Sequence, residues 1–498
     1  MDTVTPTKLS PASGTYQPKG QLIGGKWIGS VSGKVITIEN PGKKTSIAQV
    51  PHAGAADVEL AVTAAEKAFP PWKNVVPRER GKLLLKIAEA MEARVEEMAR
   101  TIAMETGNAL RTQARGEAKL AADIFRYFGG LASELKGETV PLGESVLSYT
   151  RREPLGIVGA IIPWNAPVML GALKIAPALC AGNVLVMKAA EDAPLAVLMM
   201  ADITNEFVPP GVLNVITGYG EECGGALANH PKIRKLSFTG STEVGKVIMR
   251  AAAERIVPVS LELGGKSPSI VYPDADEDWA VDGIINAMRF TRQSQSCTAG
   301  SRMFLHEDIF DSFLAKLEKK VTALKIGDPL DEASDIGSII NNKQYTKVCK
   351  YVQDGLDRSD AKLVFGGLPP TTGPLSEGYF TMPTVFADRS NDWRLAREEI
   401  FGPVLVAIRW SDEAEAIRMA NESHYGLAAY VWTHNIGKGL RAAHAIESGW
   451  VQVNQGGGQT PGMSYGGYKQ SGLGREFSLE GMLDSFTQRK SVTVNLAV

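Results

Sequence analysis

The sequence predicts an α/β protein with two doubly wound domains, each built on a parallel sheet covered by helices. Short apolar runs that suit buried parallel strands alternate with helix-like segments, an order typical of such domains. The same alternation begins again after Glu262. The chain has 498 residues, which is long enough for two or three domains with large cores.

The first cycle of strands and helices precedes Glu262. Residues 79–105 carry apolar side chains at helical spacing, and Gly107 follows as a stop signal. Further along, the segments predicted as strands are 157–162, 184–187, 212–216 and 235–238, and those predicted as helices are 194–206 and 243–253.

The second cycle follows Glu262. Its predicted strands are 269–272, 404–409 and 428–432, its predicted helices are 279–288 and 309–324, and residues 368–374 are a predicted surface loop. Residues 491–496 alternate between apolar and polar side chains, which predicts an edge strand. Because an exposed edge strand needs a partner, we expect the protein to form oligomers.

The composition excludes several classes of protein. With 53 basic and 55 acidic residues and no block of like charge, the chain has no signature of nucleic-acid or anionic-membrane binding. A hydrophobic content of 44% excludes disorder as the main state. The 4 cysteines are too few and too scattered for a disulfide framework, which favours a cytoplasmic location. No metal site is predicted.

Two segments resemble targeting or membrane sequences only superficially. Residues 1–19 are polar and contain prolines, so we expect a flexible arm rather than a signal peptide. Residues 154–173 carry no charge but contain several prolines and glycines, which a lipid-facing helix tolerates poorly. A buried strand, a loop and the start of a helix explain this stretch better.

Two glycine-rich turns follow predicted strands and are candidates for binding a phosphate-bearing cofactor. One contains Gly218 and Gly220, and the other, residues 238–245, opens a helix. Glycines allow the backbone to approach a phosphate, and a helix amino terminus offers unpaired N–H donors. Neither turn matches the GxGxxG pattern, and such turns taken alone are usually plain strand-to-helix connections.

Lys188 and Glu191 follow a predicted strand at its carboxyl end, where α/β sheets bind ligands. Each side chain could hydrogen-bond a ribose hydroxyl, and the carboxylate would repel a 2′-phosphate, which favours NAD over NADP. The alternative is a solvated charge pair in a loop.

Three residues have side chains suited to catalysis. Cys297 lies in a small polar segment of the kind that a nucleophilic thiolate requires, although an inert buried thiol is the alternative. Glu262 lies between two leucines, a setting that raises the pKa of a carboxyl group toward that of a general base, unless a lysine pairs with it. Asn165 could donate its amide to an oxyanion beside the Cys297 backbone N–H, or simply stabilise a turn.

Taken together, these segments resemble the NAD(P)-dependent aldehyde dehydrogenase superfamily, in its thioester-hydrolysing branch. The matching motifs occur in the order of that family, and the resemblance extends from about residue 20 to the end of the chain. They are Pro163-Trp164-Asn165, Lys188 with Glu191, 238–245, 262–266, Cys297, 398–403, 465–467 and 474–476.

The resemblance implies a reaction and a set of site residues. Cys297 would attack the aldehyde, Asn165 would hold the oxyanion, and Glu262 would activate water to hydrolyse a thioester. Glu476 would relay protons with Glu262, and Lys174 would tune the same network. The residues implied for NAD are Ile161, Ile162, Pro163, Trp164, Lys188, Glu191, Gly220, Phe238, Thr239, Gly240, Ser241, Leu263, Glu399 and Phe401.

The substrate side departs from the usual pattern of the family. The usual glycine of the cysteine loop is Ser294, and residues 455–462 are unusually rich in glycine. Arg292 is expected to form a local salt bridge, with an acidic substrate as the alternative. The expected substrate is a bulky or aromatic aldehyde, bound by Ala166, Leu170, Leu173, Ser296, Thr298 and Tyr465.

The resemblance also implies a domain organisation and a quaternary structure. Residues 20–130 and 151–263 would bind NAD, residues 264–465 would form the catalytic domain, and residues 131–150 and 480–498 would form a small β oligomerisation element. Members of the family are commonly homodimers or homotetramers.

Three rival functions remain open at this stage. In a CoA-acylating dehydrogenase, CoA replaces water as the acyl acceptor, and the presence of Glu262 argues against it. A cysteine esterase would use Cys297 without NAD. In a non-catalytic binding protein, Cys297, Glu262 and Asn165 would have no reason to occur together.

Overall fold

The structure is a computed structural model that describes residues 14–388 and 390–497. The helices of this part of the chain are α1 (Ala55–Lys73), α2 (Pro77–Ala93), α3 (Val95–Thr106), α4 (Arg115–Gly130), α5 (Pro167–Cys180), α6 (Leu195–Asn205), α7 (Gly225–Asn229), α8 (Thr242–Ala253), α9 (Asp278–Met288), α10 (Phe310–Thr322), α11 (Asn342–Leu356), α12 (Arg394–Arg397), α13 (Glu413–Asn421), α14 (Ile436–Ala445) and α15 (Leu479–Phe486).

The strands of the same residues form two large sheets and three small ones. They are β1 (Gln21–Ile23), β2 (Lys26–Ile28), β3 (Val35–Asn40), β4 (Thr45–Pro51), β5 (Thr139–Pro141), β6 (Val146–Pro154), β7 (Ile157–Ile161), β8 (Val184–Ala189), β9 (Leu213–Thr217), β10 (Ile233–Thr239), β11 (Val259–Glu262), β12 (Pro268–Val271), β13 (Arg302–His306), β14 (Lys362–Phe365), β15 (Thr384–Asp388), β16 (Val404–Trp410), β17 (Tyr425–Gly426), β18 (Ala428–Trp432), β19 (Trp450–Val453), β20 (Tyr468–Lys469), β21 (Gly472–Leu473) and β22 (Thr487–Asn495).

The first large sheet has the strand order β2-β1-β9-β8-β7-β10-β11-β21. Its five central strands, from β9 to β11, are parallel. The chain runs from β7 outward through β8 to β9, and then continues with β10 and β11 on the other side of β7. The strand order therefore reverses between β7 and β10, and a crevice opens at the carboxyl ends of these two strands.

The second large sheet has the order β14-β15-β16-β13-β12-β18-β19, and all its strands except the edge strand β14 are parallel. Residues 263–267 connect the carboxyl end of β11 in the first sheet to the amino end of β12 in the second. The carboxyl edge of one sheet is thereby joined directly to the amino edge of the other. Two parallel sheets with helices between their strands confirm the predicted α/β class.

The predicted elements occur within two residues of the expected bounds at each end, with two exceptions. The helix predicted over 79–105 is two helices, α2 and α3, because the backbone of Arg94 leaves the helical conformation (φ −117°, ψ 23°). The buried residues Met91 and Met98 lie on either side of this break, so the apolar periodicity continues across it and conceals it.

The second exception is the last strand, which begins at Thr487 rather than at residue 491. β22 pairs antiparallel with β6 from Thr487 opposite Pro154 to Asn495 opposite Val146, in a sheet of order β22-β6-β5. The first residues of β22 are mostly exposed and polar, so the pairing rather than the side-chain pattern decides where the strand begins. β22 is an edge strand, as predicted.

The predicted flexible arm, residues 1–19, lies outside the described residues up to residue 13. Its described part is packed against the protein, contrary to the expectation. Tyr16 is buried, its N–H donates to Thr101 Oγ1 at 2.9 Å, and Lys19 forms a 2.8 Å ion pair with Asp202.

The uncharged stretch 154–173 contains strand β7, a connection and the start of α5, as expected. Within residues 14–388 and 390–497, none of the helices combines the length and the apolar character that crossing a bilayer would require. Helix α5 is buried along almost its whole length, and as a consequence its one lysine, Lys174, is inside the protein.

Candidate active site

A cleft of about 220 Å³ lies where the carboxyl edge of the first sheet meets the amino edge of the second. The residues that follow β7, β10 and β11 form one wall, and residues that precede β13 and β16 form another. Its lining consists of Pro163, Trp164, Asn165, Leu170, Thr239, Gly240, Ser241, Glu262, Leu263, Gly264, Cys297, Gln344, Lys347, Glu399 and Phe401. The three predicted catalytic side chains, Cys297, Glu262 and Asn165, are therefore brought together.

Cys297 lies in the connection between α9 and β13 and is half-buried. Its Sγ is 3.7 Å from the hydroxyl of Tyr465, which is 168 positions away in sequence. Burial raises the pKa of the thiol to about 12, and the hydrogen bond with Tyr465 opposes this rise. The thiol is consequently protonated at neutral pH in this structure, so attack on a carbonyl needs a base.

The loop that carries Cys297 is held by its two glutamines. Gln293 donates to the carbonyl oxygen of Gly107 at 3.1 Å, and Gln295 accepts from the N–H of Ile340 at 3.1 Å. Gln293 and Ser294 both have a φ of +50°, in the left-handed region that favours glycine. Ser294, where the resemblance leads us to expect a glycine, therefore occupies a backbone position in which a side chain is strained.

Glu262 is the last residue of β11, and its carboxylate is buried. Neither of its oxygens accepts a hydrogen bond from any described residue. Burial raises the pKa of Glu262 well above its usual value, and the negative charge of Glu476 adds to the rise, while Lys174 and Arg475 oppose it. The alternative of a strand-end glutamate paired with a lysine is thus not what the structure contains.

Asn165 follows β7 and contacts the cysteine loop directly. Its side-chain amide donates to the carbonyl oxygen of Gln295 at 3.0 Å. Because these residues are 130 positions apart, the side chain makes a tertiary contact rather than stabilising its own turn. Asn165 and Cys297 therefore line the same cleft.

Two consecutive glycines allow the walls of the cleft to approach each other. A Cβ on Gly265 would collide with the carbonyl oxygen of Cys297, and a Cβ on Gly264 would collide with the carboxylate of Glu399. The N–H of Gly265 donates to Glu399 Oε1 at 2.9 Å. Burial raises the pKa of Glu399 to about 7, although this N–H opposes the rise.

Lys174 and Glu476 form a buried ion pair, and together they influence the charge of Glu262. The second carboxylate oxygen of Glu476 has no hydrogen-bond partner among the described residues. Neither residue lines the cleft, so any role they have in the reaction is exerted through Glu262.

The residues predicted for a nucleotide divide into two groups. Thr239, Gly240 and Ser241 line the cleft where α8 begins, and Ser241 Oγ caps this helix by accepting from the N–H of Val244 at 3.3 Å. The first N–H groups of α8 thus point toward the crevice, as anion binding requires. In contrast, Ile161, Ile162 and Phe238 are buried around the ends of their strands, outside the lining of the cleft.

Lys188 and Glu191 bond to each other, with 2.7 Å between Lys188 Nζ and Glu191 Oε2. Lys188 is buried, and Glu191 lines a second cleft together with Tyr219, the residue before Gly220. Lys188 lies within β8 rather than in a loop, and it is shielded from solvent. Glu191 still faces an open cleft close to the first one.

The residues predicted for the substrate lie at different distances from the cleft. Leu170 lines the cleft, and Tyr465 lies beside Cys297. Ala166 and Leu173 are buried outside the lining, so they do not widen the entrance as expected. Ser296 and Thr298 also lie outside the lining, and their hydroxyl groups bond to each other at 3.1 Å.

Arg292 forms a local network, as expected. It contacts Glu117, Gln113 and the backbone of Asn165 rather than facing the cleft. The glycine-rich loop 455–462 is held by Arg289, which donates to the carbonyl oxygens of Gly456 and Gly457 at 3.2 and 2.6 Å.

Two residues that line the cleft, Gln344 and Lys347, were not predicted from the sequence. Gln344 donates to the carbonyl oxygens of Ile400 and Phe401, and Lys347 donates to that of Glu399. They lie on one face of α11, after the helix cap Asn341. Their three-residue spacing behind a cap is the only local signal, and it is common to many surface helices.

Comparisons with known proteins agree on one family. The sequence model of the aldehyde dehydrogenase family matches residues 27–492. The chain is 40% identical over 483 residues to a hydroxyisobutyraldehyde dehydrogenase of Mycolicibacterium austroafricanum, covering 97% of this chain and 95% of that protein. It is 39% identical over 489 residues to an acetaldehyde dehydrogenase of Pseudomonas aeruginosa, covering 97% and 96%. The NAD+ complex of an aldehyde dehydrogenase from Bacillus cereus superposes with a TM-score of 0.93 at 37% identity, covering 99% of this chain and 100% of that one.

Proposed function

This chain belongs to the aldehyde dehydrogenase family, and from its site we propose that it oxidises an aldehyde to the carboxylic acid with NAD as oxidant. The observation that carries the proposal is the convergence of Cys297, Asn165 and Glu262 on one cleft at the point where the strand order reverses. These three side chains supply a nucleophile, an oxyanion donor and a base, which are the groups that thioester chemistry requires.

The residues around the crevice fit a dinucleotide. The capped amino terminus of α8 suits a pyrophosphate, and the hydroxyl of Thr239 is buried beside it without a partner among the described residues. Glu191, at the neighbouring cleft, favours NAD over NADP because a carboxylate repels a 2′-phosphate. When bound, NAD accepts a hydride from the substrate carbon. A family member from Bacillus cereus has been solved with NAD+, which supports the same cofactor here.

In the first half of the reaction, Cys297 attacks the carbonyl carbon of the aldehyde. Since its pKa is raised to about 12, the thiol must lose its proton as it attacks, and Glu262 is the base that lines the same cleft. The side-chain amide of Asn165 and the backbone N–H of Cys297 then stabilise the negative oxygen of the thiohemiacetal. Loss of hydride from this adduct leaves an acyl group on Cys297 as a thioester.

In the second half, water hydrolyses the thioester. After the proton from the thiol has passed from Glu262 to solvent, Glu262 takes a proton from this water, and its raised pKa makes it an effective base near neutral pH. The negative charge of Glu476 raises that pKa, and the positive charge of Lys174 lowers it. The bond between the carbonyl carbon and Cys297 Sγ then breaks, the thiolate takes the proton back from Glu262, and the carboxylic acid leaves.

For the substrate we propose an apolar aldehyde with a bulky or aromatic group. The support is the apolar character of the cleft beside Cys297, which is lined by Trp164, Leu170 and Phe401. The rings of Trp164 and Phe401 pack edge to face, with their centroids 5.4 Å apart. A charged aldehyde would lose hydration beside these three apolar side chains.

We also propose that the chain forms a homodimer or homotetramer through its three-stranded sheet. Its edge strand β22 leaves a row of backbone groups unpaired by any described residue, and the sheet and its ends expose several large apolar side chains. These are Val140, Leu142, Leu147, Val494 and Leu496.

The first experiment is to follow NADH formation with a panel of aliphatic, charged and aromatic aldehydes, each tested with NAD and with NADP. We expect turnover with NAD, fastest with apolar aldehydes, and its complete loss in Cys297→Ser. A serine hydroxyl is a far weaker nucleophile than a thiolate, and the substitution leaves the fold unchanged.

The rival functions give different results in the same assay. A CoA-acylating enzyme would need CoA for turnover. A cysteine esterase would hydrolyse p-nitrophenyl acetate but form no NADH with any aldehyde. If the folded protein formed no NADH and Cys297→Ser did not alter ester hydrolysis, the proposed function would be wrong.

A further inference from the structure

We propose that Arg292 is a positioning residue for the oxyanion site, because it fixes the backbone of Asn165 relative to the loop that carries Cys297. The inference rests on the proposed function in one respect, namely that Cys297 and Asn165 act together on a carbonyl. Arg292 itself lies outside the lining of the cleft, so it would act only through Asn165.

The evidence is a set of contacts that one guanidinium makes with separate parts of the chain. Arg292 Nη1 donates to the carbonyl oxygen of Asn165 at 3.1 Å. The same nitrogen lies 3.4 Å from Glu117 Oε2, and Nε donates to Gln113 Oε1 at 3.0 Å. Arg292 stands five positions before Cys297 in sequence, so it links the nucleophile loop to the residue that supplies the amide.

The two groups that Arg292 contacts, Glu117 and the backbone of Asn165, also form hydrogen bonds with other residues. Glu117, fully buried on α4, accepts the N–H of Val168 at 3.1 Å in the first turn of α5. Asn108 donates a second hydrogen bond to the carbonyl oxygen of Asn165, at 3.2 Å. The backbone of Asn165 is therefore fixed by two donors, and its side-chain amide in turn reaches Gln295 in the nucleophile loop.

The electrostatics of the network are consistent with this role. Burial lowers the pKa of Arg292, and the negative charge of Glu117 opposes this change. Burial raises the pKa of Glu117, and the positive charge of Arg292 opposes that change in turn. A planar guanidinium presents several donors in a fixed geometry, which a lysine ammonium does not reproduce. Only 14% of the Arg292 side chain is exposed, which argues against contact with an acidic substrate.

The test is a double-mutant cycle of Arg292→Met and Asn165→Ala, measured on kcat and KM. We expect Arg292→Met to lower kcat about 10- to 100-fold with little change in KM, since removing a single oxyanion donor costs about 100- to 1,000-fold. In the Asn165→Ala background, the same substitution should change kcat by no more than about twofold, because the group that Arg292 positions is already absent.

Arg111→Met is the matched control. Arg111 is also an ion-paired arginine, but it is half exposed and contacts Asp335 and Glu332 at the surface. Its kcat should stay within about twofold of the parent value. If Arg292→Met fails to fold because Glu117 is left unpaired, Arg292→Met with Glu117→Gln removes the guanidinium from a neutral network and serves as the second variant.

The inference is overturned if Arg292→Met keeps kcat within about threefold of the parent, or if its effect multiplies with that of Asn165→Ala instead of disappearing. A selective rise in KM for acidic aldehydes would instead assign Arg292 to the substrate. The same double-mutant cycle is then measured on the hydrolysis of p-nitrophenyl acetate, a reaction that needs no NAD. If aldehyde oxidation is absent but the cycle holds for the ester, the proposed function fails and the role of Arg292 stands.

Discussion

At the scale of single residues, the site depends on the charge of Glu262, whose carboxylate is buried without a hydrogen-bond partner among the described residues. Its pKa is raised by burial and by the negative charge of Glu476, and lowered by Lys174. A base must be deprotonated to accept a proton from water. The rate of thioester hydrolysis should therefore rise with pH and reach a plateau above the pKa of Glu262.

The substitution Glu476→Gln tests this dependence. It removes the negative neighbour and leaves the positive charge of Lys174 unpaired, and both changes lower the pKa of Glu262. We expect the rising limb of the kcat–pH profile to move to lower pH. Glu254→Gln, at an exposed position after α8, is the control and should leave the profile in place. A limb that moves to higher pH, or not at all, would contradict the coupling.

At the scale of elements, the loop that carries Cys297 contains strain that a glycine would relieve. Ser294 has a φ of +50°, and its buried hydroxyl has no hydrogen-bond partner among the described residues. For a residue with a Cβ, this conformation costs roughly 1–2 kcal/mol. A glycine would remove this cost, but it would also make the unfolded chain more flexible, which offsets part of the gain in stability.

We expect Ser294→Gly to raise the free energy of unfolding by about 1 kcal/mol. Ser294→Ala removes the unpaired hydroxyl but keeps the Cβ, so it should give a smaller increase. Ser296→Gly is the control, because Ser296 has no positive φ and should lose stability. Thermal and urea unfolding of the three variants give the order, and a Ser294→Gly protein less stable than the parent would show that the loop is not strained.

The amino terminus of helix α6 is capped by a residue from a distant part of the chain. Helix α6 begins after Pro194 without a side-chain cap of its own. Glu105, which lies 90 positions earlier at the end of α3, accepts the N–H groups of Leu195 and Ala196 at 2.6 and 2.9 Å. The apolar pattern predicts this helix, but its cap comes from a distant part of the chain, which no local pattern reveals.

At the scale of the whole molecule, the three-stranded sheet is the surface through which we expect copies of the chain to associate. Val494 and Leu496, 39% and 55% exposed, lie at the end of β22 and just after it. Replacing both by lysine places charges in the proposed contact, where each would lose hydration. We expect the double variant to sediment as a smaller species than the parent.

Val31→Lys is the control for this experiment, because Val31 is 61% exposed and follows β2, which belongs to a different sheet from β22. It should sediment as the parent does. If the parent is itself a monomer, or if the double variant keeps the oligomeric state of the parent, the sheet is not the interface. Secondary structure measured by circular dichroism should be the same in all three proteins.

The sequence by itself determined the α/β class, the approximate bounds of most of the strands and helices that it predicted, and the identity of Cys297, Glu262 and Asn165 as candidates. Periodicity is a property of neighbouring residues, and the family motifs are contiguous, so both can be read along the chain. What the sequence left open was which of these candidates meet, because each had an alternative local explanation.

Only the tertiary structure decided those alternatives. It brought Asn165 against Gln295 across 130 positions and joined Arg292 to Glu117. It left the carboxylate of Glu262 without a hydrogen-bond partner among the described residues. It also placed Ala166 and Leu173 outside the cleft and added Gln344 and Lys347 to it. Burial and hydrogen bonding depend on distances between residues far apart in sequence, and it is burial that sets the pKa values on which the chemistry of the site depends.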